Sequence, residues 1–287
     1  MRVITGTPGG GAQPLAESLA ALYRHRVPNL DVEIEPSPGA VANAEAIQRG
    51  DADIGFVFAD VTYTAFVGRL GEAEPFGRLR AIAVLQIPAV HLVVRPDLRI
   101  RDVAGLRGRR VGVGPVGSGT ALTAEMVLGA VGLSRTDIRA EGLSFDEGAR
   151  RMIGGTLDAM FDDAIYPAEA IRTVTAAGGR LVPITGPSIE QLLRRYPFFR
   201  ATTIPPGSYP RTTDPTPTIG LDSVLVCRRD LDDDFVYELT RLFFDVLPTL
   251  SSSQPALSFM DLDRAPAAPI PLHDGAARYY RERELMR

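Results

Sequence analysis

The chain has 287 residues, 45% hydrophobic and 23% charged, with a formal net charge of −4; that length supplies one large or two mid-sized cores of an ordinary globular kind. The acidic balance argues against nucleic acid or an anionic membrane surface as partner, and the lack of an apolar run of about 18 residues argues against direct membrane insertion. A single cysteine, Cys227, leaves no internal disulfide and no cysteine-rich zinc site.

Residues 2–5 read as a strand, followed by the glycine-rich stretch 6–11 and an amphipathic helix over 14–25 with Leu15, Leu19 and Leu22 on one face. The glycines do not have dinucleotide-fingerprint spacing. Residues 31–35 alternate as a strand, 36–43 turn into a helix that Gly50 closes, and 53–58 form a strand buried on both faces with Asp60 just beyond. Strands follow over 80–86 and 90–95, then a short connector over 100–107. Met1 and Arg2 lead straight into the first strand, so no secretory leader is read in the sequence.

The stretch 109–120, RRVGVGPVGSGT, repeats the first arrangement: strand, glycine-rich loop, helix start. Backbone N–H groups and the positive end of a helix dipole then surround one point, which suits a carboxylate or phosphate. A nucleotide-hydrolysing loop would need a lysine after its last glycine; the chain contains none, its 31 Lys or Arg positions all being arginine. A second alternating round follows: strand 138–143, helix 146–153, strand 158–161 ending at Asp162 and Asp163, a helix from Tyr166 to residue 177, and strand 180–184. Two rounds of β/α alternation predict an α/β protein of two doubly wound, mostly parallel sheets. Residues 196–211, with four prolines, read as a stiff connection without regular structure. Residues 218–228 read as a strand matching 90–95, the two forming crossings between halves, so that one half is discontinuous: 1–92 plus 215–287, against 93–214. A helix over 232–247 and a terminal helix over 275–284 complete the chain.

The candidate site lies past the strand ends, where open α/β sheets bind ligands. In the second half, Ser118, Gly119 and Thr120 can grip a carboxylate through N–H and hydroxyl groups, and Asp162 or Asp163 can hold an ammonium or hydroxyl group. Tyr166 is a wall of the cleft or a core residue. In the first half the candidates are Thr7, Gly10, Gln13, Ser37, Val41, Asn43 and Asp60. For Gln13 the alternative is a solvated first-turn residue, for Ser37 and Asn43 turn and cap roles, and for Asp60 a helix cap. His91, in an apolar strand, reads as a structural histidine. No G-x-S-x-G elbow and no cluster of metal ligands is present, so no enzymatic activity, metal or cofactor is expected.

The stretches TGTPGGGAQPLA, RGDADIGFVFAD, VHLVVRPDLRIRDVAGLRGRRVGVGPVGSGT, GTLDAMFDDA, YPFFRATTIPPGSYP and PIPLHDGAARYYRE, in collinear order, resemble the TAXI branch of solute-binding proteins of tripartite ATP-independent periplasmic (TRAP) transporters. The chain departs from that family in its first glycine loop, where Ala12 and Gln13 stand in place of aromatic residues. The resemblance implies a two-lobed, type II-like periplasmic-binding fold joined by two crossing strands, with the ligand between the lobes. It further implies a periplasmic receptor, exported by a leader not contained in this sequence. Such a receptor captures a small anionic metabolite, such as an acidic amino acid or dicarboxylate, and passes it to the membrane permease subunits of a TRAP transporter driven by an ion gradient. The alternative on the same fold is a ligand-sensing or cofactor-biosynthesis domain.

Overall fold

The computed structural model describes every residue except 7–11, 72–73, 86–87, 197, 254–259, 261 and 285–287, and of 249–253 the backbone only. The elements run β1 (Arg2–Ile4), α1 (Ala12–Arg26), β2 (Glu33–Glu35), α2 (Ala40–Arg49), β3 (Ile54–Phe58), α3 (Ala59–Phe66), β4 (Leu79–Val84), β5 (Ala89–Val94), β6 (Arg110–Gly112), α4 (Gly119–Ala130), β7 (Arg139–Glu141), α5 (Phe145–Ile153) and β8 (Ala159–Ala164). They continue with α6 (Glu169–Ala176), β9 (Arg180–Leu181), α7 (Pro187–Arg195), β10 (Phe199–Ile204), β11 (Thr216–Leu221), β12 (Ser223–Arg228), α8 (Asp233–Ser253) and α9 (Asp274–Glu282). They form two compact units, Met1–Ile87 with Asp222–Arg287, and Pro88–Leu221.

The first unit is a five-stranded sheet of order β2-β1-β3-β12-β4. β1 pairs parallel with β2 and β3, and β12 runs antiparallel between β3 and β4. The middle strands carry the apolar runs IGFVF and SVLVC because both faces are covered, and there the side chains are almost wholly buried. Leu15, Leu19, Tyr23, Leu239 and Phe243 from α1 and α8 join Ile54, Phe56 and Leu225 in one cluster. Two buried tyrosines tie the terminal helices down: Tyr280 Oη donates to the Ile82 carbonyl at 2.8 Å, and Tyr23 Oη to that of Leu239 at 3.2 Å.

The second unit repeats this plan. Its sheet has the order β10-β11-β5-β8-β6-β7, with β9 also on β5. β6 pairs parallel with β7 and β8, and β5 runs antiparallel to β8. The patterns 2-1-3 and 7-6-8 therefore match, each followed by an antiparallel strand that is the first after the chain changes units: β12 after Asp222, β5 after Pro88. Ala149, Met152, Met160, Ile171 and Val174 form the core between this sheet and the helices α5 and α6.

Two local expectations are corrected, and one helix is added. Residues 218–228 are not one strand: the chain turns at Asp222, and β11 and β12 lie in different sheets. The stiff connection over 196–211 contains β10, an edge strand; Pro205 and Pro206 follow its ladder, where the missing N–H costs nothing. Helix α7, preceding it, was not anticipated, although Pro187 at its start, Glu190 in its first turn and Arg194 and Arg195 in its last are the usual terminal signals.

α9 sits on α8 through Gly275, where a Cβ would lie 2.2 Å from the Asp233 carbonyl oxygen and 2.8 Å from the Tyr237 nitrogen, both backbone atoms. Gly275→Ala is expected to force the helices apart at a cost of about 3 kcal/mol. The urea midpoint measures this; a midpoint equal to the wild type's would show that the contact tolerates a methyl group.

Candidate functional site

In each sheet the chain leaves a central strand, adds a neighbour on one side and returns to the other side. β2 and β3 therefore lie on opposite sides of β1, and β7 and β8 on opposite sides of β6; the carboxyl ends of strands so connected are the switch point at which such sheets open a crevice.

In the first unit, Thr7 and Gly10 lie outside the described residues. The structure brings Ser37 and Asn43 together with Thr5. Ser37 Oγ lies 2.7 Å from the Thr5 carbonyl and 2.5 Å from Asn43 Oδ1, and it accepts the Gly39 N–H at 3.0 Å. Asn43 is buried and its Nδ2 donates to the Phe56 carbonyl at 2.8 Å, bracing α2 against β3. Val41 is half-buried in the first turn of α2. Asp60 is fully buried in the first turn of α3, not at its cap position, and Oδ1 accepts the Val61 N–H at 2.7 Å. Gln13 turns along its own helix, donating to Glu17 Oε1 at 3.0 Å.

In the second unit, Ser118 caps α4: its Oγ accepts the Ala121 N–H at 3.2 Å and donates to the Pro115 carbonyl at 2.7 Å. Its proton is thus used within the loop. Gly119 and Thr120 hold the first turn, where helix N–H groups have no acceptor in their own helix. The loop can wrap this turn because Gly114 has φ 88°; a Cβ there would meet Thr120 Cβ at 2.9 Å and Ser118 Oγ at 3.0 Å. Thr120 Oγ1 accepts the Asp163 N–H at 3.4 Å, joining α4 to the end of β8. Asp162 and Asp163 are both buried, and as strand neighbours they face opposite sides of the sheet. Asp162 shares the side of Met160, toward α5. Tyr166, in the next loop, is half-buried against the α5–α6 core, so it packs as a core residue at that loop.

Other residues at these strand ends were not singled out from sequence. Asp222, 2% exposed, holds Arg264 through both carboxylate oxygens at 3.1 and 3.0 Å, and its carbonyl accepts the Ala59 N–H at the start of α3. A lone acid between two apolar strands was the available signal. Tyr209 is a second case: its Oη lies 2.8 Å from Nε2 of His91, the histidine read from sequence as structural, and accepts the Ala168 N–H at 2.9 Å. Two cavities in this unit, of about 320 Å³ beside Arg95 and about 350 Å³ between α7 and β10, are lined by none of the candidate residues. Among the described residues no group of three His, Cys, Asp or Glu could hold a metal ion, and no helix is long and apolar enough to cross a membrane.

Two α/β units of this strand order define the fold of periplasmic binding proteins, and solved structures of that kind superpose on nearly the whole chain. The alkanesulfonate-binding protein SsuA from Xanthomonas axonopodis pv. citri, bound to MOPS, matches with a TM-score of 0.55 and 16% identity over 97% of this chain and 82% of that one. A Xanthomonas citri protein bound to ATP matches at 0.56 and 16%, over 99% and 98%. A periplasmic transporter matches at 0.58 and 14%, over 99% and 93%. The model of the NMT1-like family matches residues 3–283, and the chain belongs to that family.

The end of β8 also carries an unusual proton balance. Burial, reinforced by the Asp146 carboxylate, pushes Asp162 up to about 7 from 3.8. Across the ladder, burial pushes its register partner His91 down to about 4 from 6.5, against the backbone carbonyls of Asp162 and Ala89 that its ring meets. The raised group stabilises below pH 3.8 and loses that contribution as pH rises through about 7; the lowered one stabilises above pH 6.5 and loses it as pH falls through about 4. Between about pH 4 and 6.5 the folded pair therefore holds one proton on Asp162, the unfolded chain holds one on His91, and the two slopes cancel. Asp162→Asn removes one slope. It is expected to be more stable than the wild type above pH 7 and to lose stability more steeply between pH 6.5 and 4. Denaturant midpoints across this range check it; parallel curves for the two proteins would show that Asp162 ionises at an ordinary pH.

Proposed function

We propose that the chain is a periplasmic solute receptor that captures a small anionic metabolite, releases it unaltered and delivers it to a membrane permease. The observation that carries this reading is the first turn of α4, with the Gly119 and Thr120 amides and the Thr120 hydroxyl beside the buried acids that end β8. Helix-start amides favour an anion through both hydrogen bonds and the dipole. Asp162 adds a choice. Protonated, it donates to an acidic ligand; ionised, it favours an amine or hydroxyl on it. An acidic amino acid, which carries both kinds of group, meets these demands together, and a dicarboxylate meets the first.

The fold supports the receptor role: one structural neighbour is named an alkanesulfonate-binding protein and is bound to MOPS, and another is bound to ATP. The choice of permease rests on the resemblance to TRAP receptors, which makes the partner ion-gradient-driven. An alkanesulfonate is the competing ligand class, from the name of the SsuA neighbour.

A thermal-shift series with L-glutamate, succinate and ethanesulfonate tests the class, because a ligand at 100 times its Kd stabilises by about 2.7 kcal/mol. A carboxylic acid is expected to raise Tm, and Thr120→Val to weaken its binding by at least about tenfold, the loss of one charge-assisted hydrogen bond. A shift with ethanesulfonate alone would move the ligand class to sulfonates; no shift with any of the three at 10 mM, a concentration of roughly 100 times a 0.1 mM Kd, would overturn the anion reading.

A further inference from the structure

The proline-rich turn after β10 buries one large side chain, Tyr209, which is 3% exposed. The turn is closed on itself: Gly207 N–H donates to the Thr212 carbonyl at 2.7 Å, and Tyr209 N–H to Thr212 Oγ1 at 3.1 Å. Tyr209 thereby enters the α5–α6 core and meets His91 edge-to-face, ring centroids 5.5 Å apart at 84°.

The hydrogen bonds around it admit one proton assignment. Ala168 N–H can only donate, and it donates to Tyr209 Oη. The phenol proton is then directed to His91 Nε2, 2.8 Å away. Nε2 accepts, so Nδ1 carries the ring proton and points at the carbonyls of Ala89 and Asp162, at 2.9 and 3.2 Å. Every polar group in this line is satisfied, and the line runs from the middle of β5 to Ala168. That residue is the cap position of α6, and its own side chain supplies no cap. It also ends the 165–168 loop that follows the β8 acids and carries Tyr166.

We infer that Tyr209 and His91 are positioning residues, fixing the 165–168 loop and with it the geometry of the strand-end site in the second unit. His91 sets the phenol, the phenol holds the Ala168 amide, and the amide fixes where the loop stops and α6 begins. The consequence for binding rests on the receptor reading above; the consequence for the loop does not.

Hydrogen exchange on the full chain tests the inference. In the wild type, the Ala168 amide is expected to exchange at least about tenfold more slowly than that of Tyr166 in the same loop, since one is bonded to a buried phenol. In Tyr209→Phe it is expected to lose that protection, and the affinity for L-glutamate or succinate to fall about tenfold. Val174→Ala, a cavity in the same core away from this line, is the control: at an equal loss of Tm it should change neither. An Ala168 amide exchanging as fast as its loop neighbour in the wild type would overturn the inference without any variant. So would Tyr209→Phe with wild-type protection at Ala168, or Val174→Ala with the same loss at that amide. If the wild type binds neither acid, the receptor reading fails while the exchange result still decides the role of Tyr209.

Discussion

The structure depends on one constraint of connection: in both sheets a central parallel strand sends the chain first to one side and then to the other. The carboxyl ends of strands connected in this way are where open α/β sheets place helix starts and loops around a ligand crevice. Sequence then decides what those ends carry. In the first unit they carry Ser37, bonded to both Thr5 and Asn43, and the buried Asp60. In the second they carry the amides of the α4 start and the adjoining acids of β8.

The two ends differ in how their polar groups are satisfied. Asn43 links α2 to β3, and Asp222 clamps Arg264 where the chain returns to the first unit; both are braces that keep the strand ends in place. At the end of β8, by contrast, burial, reinforced by the Asp146 charge, raises the Asp162 carboxyl above its usual range, and burial holds the adjacent histidine below its own. Burying an acid raises the cost of its charge, so the proton stays on it to a higher pH. Burial keeps the histidine neutral, and the hydrogen-bond line through Tyr209 satisfies both of its ring nitrogens, so that no buried donor or acceptor is left at a cost greater than the bonds themselves contribute.

Much of the first layer was legible in the residues. The runs of β3, β5 and β12 are mainly apolar because both faces are covered, a pattern that marks buried strands. The second glycine loop with its serine cap was legible because the signals for a helix start are local: a cap hydroxyl, small residues and a turn before it. Edge strand β10 was less so, since its prolines suggest a connection unless one knows that they fall outside the ladder. The division of 218–228 at Asp222 was hidden for a related reason: two strands of equal apolar character meet at a single polar residue, and nothing local says that they join different sheets.

By itself, then, the sequence determined the alternation of elements and the chemistry offered at the strand ends, because these follow from the pattern of neighbouring residues. The tertiary structure alone decided which of those groups are spent on the fold. Ser118 gives its proton to its own loop, His91 meets a tyrosine 118 positions away, and Asp162 loses its ordinary acidity to burial. Partners and burial come from chain segments that sequence spacing does not bring together, and in a close-packed interior they set both the protonation and the direction of every polar group.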